Sequence, residues 1–255
     1  MRNTKAFTLT ELIIVVVVIV VLALILMPAF PTHNEDARAM SCISNMKQIG
    51  LALAEYEQAY DNRVPPRQTV ASNGHVQSWR SEIYPYIKFA SVFQCISNSA
   101  GQWPDIESEG FHRSYAVNSS TGGRNDVGGP FSDRNAGLRL DRITDPSNAI
   151  AVVESTSALN DFNPLFPAAF AQPTREHWRT GHLFCGHRDR TNVLFTDGHI
   201  RSMRPVVTTN MRAYNAPPTS PGINGWTIDG SPFSPADQAT ATSTIQYGVA
   251  MGHDK

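Results

Sequence analysis

The chain has 255 residues, with 21 Lys and Arg against 22 Asp and Glu and a formal net charge of −1. That length suffices for one domain with a good core or for two small ones, and the balanced charge leaves no basic footprint for nucleic acid. Seventeen Gly and seventeen Pro, with few helical runs after residue 62, point to strands and long loops over most of the chain.

The first predicted element is an apolar helix. Residues 12–27 contain no charged or polar side chain. Counted from Phe7 the run has 21 residues, and at ~1.5 Å per residue it is long enough for one crossing of ~30 Å of hydrocarbon. Arg2 and Lys5 precede it, which holds the N-terminus in the cytoplasm and sends everything after Met27 outward. A secretory signal peptide is the alternative, but its apolar core is shorter and ends in a small-x-small site, for which Met27-Pro28-Ala29-Phe30 is a poor match. Glu11 stands where the span begins. A carboxylate at bilayer depth costs at least ~2.5 kcal/mol, so Glu11 is expected to meet a buried positive partner. In a plain signal anchor it would lie among the headgroups instead.

Pro28 and Pro31 predict a kink or short break, after which residues 34–61 read as helix. Cys42, Met46, Ile49, Leu53, Tyr56 and Tyr60 recur at steps of four and three, one apolar stripe, and Pro65-Pro66 closes the segment. Residues 149–153 form a short apolar strand. Residues 193–196 and 199–203 form two more, joined at Asp197-Gly198 by a two-residue turn whose central positions both require positive φ. The expected fold class is α+β: a long N-terminal helix, transmembrane and then amphipathic, packed on a small antiparallel sheet. Residues 67–80, 99–137 and 155–190 are expected as surface loops, and 205–255 as a loop-dominated extension.

Chemical motifs are scarce. The sequence has no Gly-x-Ser-x-Gly elbow, no His-Glu-x-x-His and no phosphate loop, so neither an enzyme nor a cofactor is expected. His182, Cys185, His187, Asp197 and His199 are of metal-ligand type and close in sequence. They lack the Cys-x-x-Cys pairing of zinc sites, and no dense Asp/Asn ladder suggests calcium. The preferred reading is therefore no metal, with His187 making a hydrogen bond that pins the incoming loop to the hairpin. Cys42, Cys95 and Cys185 are expected outside the membrane in an oxidising compartment. At most one disulfide can form there, and the sequence leaves all three pairings open.

The run Lys5-Ala6-Phe7-Thr8-Leu9-Thr10-Glu11, with the apolar stretch beginning at the Phe, resembles the cleavage and methylation motif of type IV prepilins and type II secretion pseudopilins. That family usually has Gly where this chain has Ala6. Pro28 also falls where many pilins carry a proline. Further stretches resemble one subgroup, the PulG-like pseudopilins of planctomycete type. They are 42–53, Phe93-Gln94-Cys95, Ser114-Tyr115 with Asn118, 143–154, and His187 followed by nine residues and then Asp197-Gly198. The resemblance implies cleavage between Ala6 and Phe7 by a prepilin peptidase and methylation of the Phe7 amine. It also implies that Glu11, fifth residue of the mature chain, neutralises the amine of a neighbouring subunit and so sets their stagger.

The layout implied is a leader at 1–6, a transmembrane and filament-core helix at 7–30, an amphipathic continuation at 31–62, a pseudopilin-like head at 63–204 and the extension at 205–255. The function implied is structural: a single-pass inner-membrane protein with a periplasmic head. It would join other pseudopilins and the assembly platform in a homo- or hetero-oligomeric filament of a type II secretion or related system. The alternative is a membrane-anchored or filament-tip adhesin that binds a ligand through its loops and extension.

Overall fold

In the computed structural model of the chain, residues 8–26, 30–70, 72, 74, 76–98, 110–119, 129–131, 137–156, 161–162, 164–165, 183–211 and 222–252 are described. Helix α1 spans Leu9–Leu26 and helix α2 spans Phe30–Ala59. Pro31 is the second residue of α2, where a missing backbone N–H forfeits no intrahelical bond; Pro28 lies outside the described residues. Among the described residues no helix is long and apolar enough to cross a membrane. The 18 residues of α1 rise ~27 Å, a little less than the hydrocarbon thickness, and residues 1–7 and 27–29, which flank it, are not described.

The apolar stripe on α2 decides how that helix lies. Cys42, Met46, Ile49, Ala52, Leu53 and Tyr56 are buried, whereas Met40 and Leu51 on the other side are exposed. Tyr60 lies beyond the helix, half exposed and stacked on Tyr56 at 4.1 Å between ring centroids. The helix stops before Pro65-Pro66. Asp61 and Asn62 adopt positive φ, and the Asn62 N–H returns to the Glu57 carbonyl at 2.9 Å, which satisfies an end carbonyl.

Beyond α2 come a small hairpin, β1 (Gln68–Val70) with β2 (Val76–Ser78), and helix α3 (Trp79–Ile87). The main sheet has the order β5-β3-β4-β6-β7. Its strands are β3 (Tyr115–Asn118), β4 (Ile150–Glu154), β5 (Asp161–Phe162), β6 (Thr191–Phe195) and β7 (Ile200–Met203). All pairs are antiparallel except β3 with β5. The fold class is α+β, with an N-terminal helix on a mainly antiparallel sheet, consistent with a pilin-like fold.

Several loop expectations are corrected. Residues 67–80 hold β1, β2 and the start of α3, residues 99–137 hold β3, and residues 155–190 hold β5. Every residue of β3, β4 and β6 is buried, because the sheet is covered on both faces. One face carries Tyr115, Val117, Ala151, Val152 and Leu194 against α2 and α3. The other carries Ala116, Ile150, Val153, Val193 and Phe195 against Met211, Trp226, Phe233, Ala241 and Ile245. A register shift between Ile150 and Val152 puts Ala151 and Val152 on the same face.

The second layer comes from the segment expected as a loop-dominated extension. It contains an 18-residue helix, α4 (Pro235–Gly252). Ser234 caps it: the Asp237 N–H donates to the Ser234 hydroxyl at 3.2 Å, and that hydroxyl donates to the Asp237 carboxylate at 2.8 Å. The fully buried Trp226 donates its indole N–H to Thr208 Oγ1 at 2.8 Å and lies 5.4 Å from the Phe162 ring. Asn118 ties the layers together, its amide donating to the carbonyls of Ile150 and Trp226.

Candidate functional site

Three places in the chain carry the residues that sequence reasoning selected. The first is the start of α1. Thr8 precedes the helix, and its backbone N–H and hydroxyl both donate to the Glu11 carboxylate, at 2.9 and 2.7 Å. The Glu11 N–H returns to Thr8 Oγ1 at 3.3 Å. This is a reciprocal capping box, in which each side chain satisfies a backbone N–H of the helix start. Glu11 therefore has a local partner in the single chain, which neither the neighbouring-subunit amine nor the headgroup placement expected from the sequence includes. Ala6 and Phe7 lie outside the described residues.

The second is a buried junction where α2, the sheet and the loop before β6 meet. Cys42 and Cys95 are joined in a disulfide with a Cα–Cα distance of 5.2 Å. Of the three pairings the sequence left open, this one fastens the α2 stripe to the segment after α3. Cys185 is a buried thiol, 3.5 Å from the Leu183 carbonyl; burial first, then the charges of Glu154 and Asp189, push it up to about 12.

Beside the disulfide, His187 makes two ion-pair contacts. Its Nδ1 lies 2.8 Å from Glu35 Oε1 on α2, and its Nε2 lies 3.1 Å from Glu154 Oε1 at the end of β4. Glu154 is fully buried, and it also accepts the Asn192 backbone N–H at 2.8 Å and the Asn192 amide at 3.1 Å. Glu35 also accepts the Ser97 hydroxyl at 2.8 Å. Burial by itself would lower the His187 pKa, but the hydrogen bonds and charges of Glu154, and then of Glu35, outweigh it and raise the imidazole above its ordinary value. His187 thus fastens its loop to α2 and β4, and reaches the β6 strand of the hairpin only through Glu154 and Asn192.

The third is the β6–β7 hairpin. Leu194 pairs with Ile200, the Phe195 N–H donates to the His199 carbonyl at 3.0 Å, and the Gly198 N–H donates to the Phe195 carbonyl at 2.9 Å. The loop is therefore Thr196-Asp197-Gly198, a type I turn closed by a left-handed glycine at φ +88°. This corrects the two-residue turn: Asp197 does not need positive φ, and only Gly198 does. Asp197 instead accepts from the His199 backbone and ring, and that ring stacks on Phe195 at 4.4 Å.

Helix α2 passes closely over this hairpin at Gly50, where a Cβ would lie 3.1 Å from Leu194 Cδ1. A cavity of about 110 Å³ opens between them, lined in part by Leu53, Glu57, Val64, Phe131 and Thr196. Burial in these surroundings pushes the Glu57 carboxyl up to about 7.

The metal-ligand candidates read from the sequence do not come together. His199 is held at the hairpin tip by its own Asp197, Cys185 belongs to the far core with Val193, and His182 lies outside the described residues. Of that set only His187 belongs to a group of ligand-type side chains among the described residues, and its companions are Cys42, Cys95 and Glu154. Sequence reasoning missed Glu35 and assigned Glu154 no role. A lone carboxylate at the end of the apolar run 149–153 was the available signal for Glu154; nothing local marks Glu35.

Comparison with known proteins adds three findings. The prokaryotic N-terminal methylation motif matches residues 1–27. A protein family of unknown function, DUF1559, matches residues 33–116. The ComG operon protein 3 homolog of Bacillus licheniformis is 29% identical over 75 residues, which cover 29% of this chain and 77% of that protein. No solved structure matches the chain.

Proposed function

From a chain that carries the prepilin-type methylation motif and is a type IV pilin-like or pseudopilin subunit, we propose a structural protein of a membrane-assembled filament. A prepilin peptidase cuts it between Ala6 and Phe7, it is held in the inner membrane by its N-terminal helix, and its head faces the periplasm. It is then drawn into a filament of a type II secretion or related type IV pilus-like system. It performs no chemistry on a substrate.

The observation that carries this reading is the exposure of α1. Every large apolar side chain from Leu9 to Leu24 is about half exposed or more, from 48% at Val15 to 77% at Leu9. An uninterrupted apolar helix that its own chain leaves uncovered must be covered by lipid before assembly and by neighbouring helices after it. Within such a bundle the Glu11 carboxylate pairs with the Phe7 amine of the next subunit, because two unpaired buried charges would oppose assembly.

The capping box supplies a clean test. Gln can replace Glu in the box, so Glu11→Gln keeps the helix start and removes only the charge. Membrane insertion and removal of residues 1–6 should be unaffected, with mass spectrometry of the mature wild-type chain showing a methylated Phe7. Filament yield at equal levels of processed protein should collapse, since losing one partner of a buried pair costs ~3–5 kcal/mol at each subunit added. Normal assembly of Glu11→Gln would reduce Glu11 to a helix cap and remove the charge-pairing argument. An intact Met1 in cells with an active prepilin peptidase would remove the processing argument.

A further inference from the structure

We propose that Cys42, Cys95, Glu154 and His187 form a zinc site when the Cys42–Cys95 disulfide is reduced, so that the disulfide and a tetrahedral Zn²⁺ are alternative states of one buried position. The ligand atoms of these four side chains all lie within 4.8 Å of one another, and all four residues are buried. Cys95 Sγ is 3.5 Å from His187 Nε2, which is 3.1 Å from Glu154 Oε1. Around a tetrahedral zinc with Zn–S ~2.3 Å and Zn–N or Zn–O ~2.0–2.1 Å, adjacent ligand atoms stand ~3.3–3.8 Å apart. The sulfur–nitrogen and nitrogen–oxygen spacings are therefore near those values already. The two sulfurs have to separate, which breaking their bond allows, and the remaining ligand atoms, all within 4.8 Å of one another, have at most ~1 Å to close. Two thiolates, an imidazole and a carboxylate are a donor set suited to zinc and poorly suited to calcium or magnesium.

The surrounding residues are an independent observation that points the same way. Glu35 Oε1 faces His187 Nδ1 at 2.8 Å and is itself held by the Ser97 hydroxyl. This contact turns Nε2 toward the sulfurs and favours a proton on Nδ1, the arrangement by which an outer carboxylate orients a zinc-bound histidine. On the other side Asn192 anchors Glu154 through both its backbone N–H and its amide. Each non-sulfur ligand is thus oriented by a second residue from a different segment. Cys185 is no member of the group.

The chemistry balances. A dithiol reductant gives the cystine two electrons and two protons, producing two thiols while the reductant becomes a disulfide. Zinc then displaces both thiol protons and the Nε2 proton that His187 otherwise directs at Glu154, and takes the Nε2 lone pair so freed, while Nδ1 keeps its proton directed at Glu35. Reoxidation by a disulfide oxidant withdraws two electrons from the sulfurs, closes the cystine and releases the metal. The site goes beyond filament assembly and does not depend on it.

The test uses the full chain in detergent, oxidised or reduced with a phosphine that is then removed without oxygen. Cobalt(II) serves as a coloured probe and zinc as the competitor. The reduced chain should bind one equivalent of cobalt, with thiolate charge-transfer absorption and the intense visible bands of a tetrahedral centre. Zinc should bleach these bands, and the oxidised chain should show none. Cys42→Ser/Cys95→Ser should abolish the charge-transfer band and Cys185→Ala should leave it intact. Glu35→Gln, which touches no metal, should weaken binding ~10–100-fold while the chain stays folded by tryptophan fluorescence. If reduction unfolds the head, zinc should refold it, because binding energy is then folding energy. Absence of stoichiometric metal on the reduced chain, folded or unfolded, would overturn the proposal. So would equal binding by the oxidised chain, or loss of the band in Cys185→Ala.

Discussion

Removing the Cys42–Cys95 disulfide tests how the long helix is held to the head. The bond closes a loop with a sequence separation of 53 residues. In the chain-entropy treatment such a closure withdraws ~14 cal/mol/K from the unfolded ensemble, or about 4 kcal/mol at 25 °C, within the usual 2–5 kcal/mol range for a native disulfide. The replacement Cys42→Ala/Cys95→Ala is mild in other respects, since both sulfurs are already buried among apolar residues of the core. For a domain of this size about 4 kcal/mol corresponds to a fall in Tm of ~8–16 °C. Trp79 and Trp226, both fully buried and in different core layers, report the transition by fluorescence. Full-length wild type, the double variant and Cys185→Ala would be melted in detergent with a chelator present. The double variant should fall by the stated amount, reduced wild type should match it, and Cys185→Ala should lose ~1 kcal/mol for a small cavity. A double variant melting within about 2 °C of wild type would show that the crosslink does not restrain the unfolded chain as argued.

Three further outcomes are expected. Gly198→Val should cost ~1–3 kcal/mol, while Gly198→Asn should cost less because Asn tolerates the left-handed region; nothing lies within 4 Å of the added Cβ, so equal stability of both variants and wild type would disprove the backbone argument. Trp226→Ala should destabilise the whole head by ~3–5 kcal/mol, and a melt in which only a C-terminal fraction is affected would show that the layer holding Met211, Trp226 and Ile245 is not part of the core. Glu57 gives a pH signature: its carboxyl is raised to about 7 by burial, so the folded state holds the proton more tightly than the unfolded chain. Stability should therefore fall as pH rises from the ordinary Glu range through about 7. Glu57→Gln should flatten that fall and raise Tm at pH 8 relative to wild type, and parallel Tm-against-pH curves for the two proteins would refute the assignment.

The features that local physics controls were legible in the amino-acid order. An unbroken apolar run at 12–27 with one acid just before it at Glu11, a stripe from Cys42 to Tyr56 at helical spacing, and Asp197-Gly198 between two strand-like runs each depend on residues a few positions apart. The structure refines them without displacing them: the helix ends at left-handed Asp61 and Asn62 before its prolines, and the hairpin loop has three residues with one positive φ. Burial of the sheet on both faces also had a trace, since 149–153 is continuously apolar where a one-sided strand would alternate. What covers the second face did not. Met211, Trp226 and Ile245 each look unremarkable within their own Pro-, Gly- and Thr-rich surroundings, and only their meeting on Ile150 and Val193 makes them core.

The junction around His187 was decided by tertiary structure alone. Three cysteines permit three pairings by any local argument, and proximity in space selected Cys42 with Cys95. Glu35 on α2, Glu154 on β4 and His187 before β6 are far apart in the chain, with separations of 152 residues for Glu35–His187 and 33 for Glu154–His187. Contacts at that range leave no periodicity for a sequence reading to detect, because what requires them is the cost of leaving His187 and Glu154 buried without partners, together with the attraction of the partly exposed Glu35 for the imidazole.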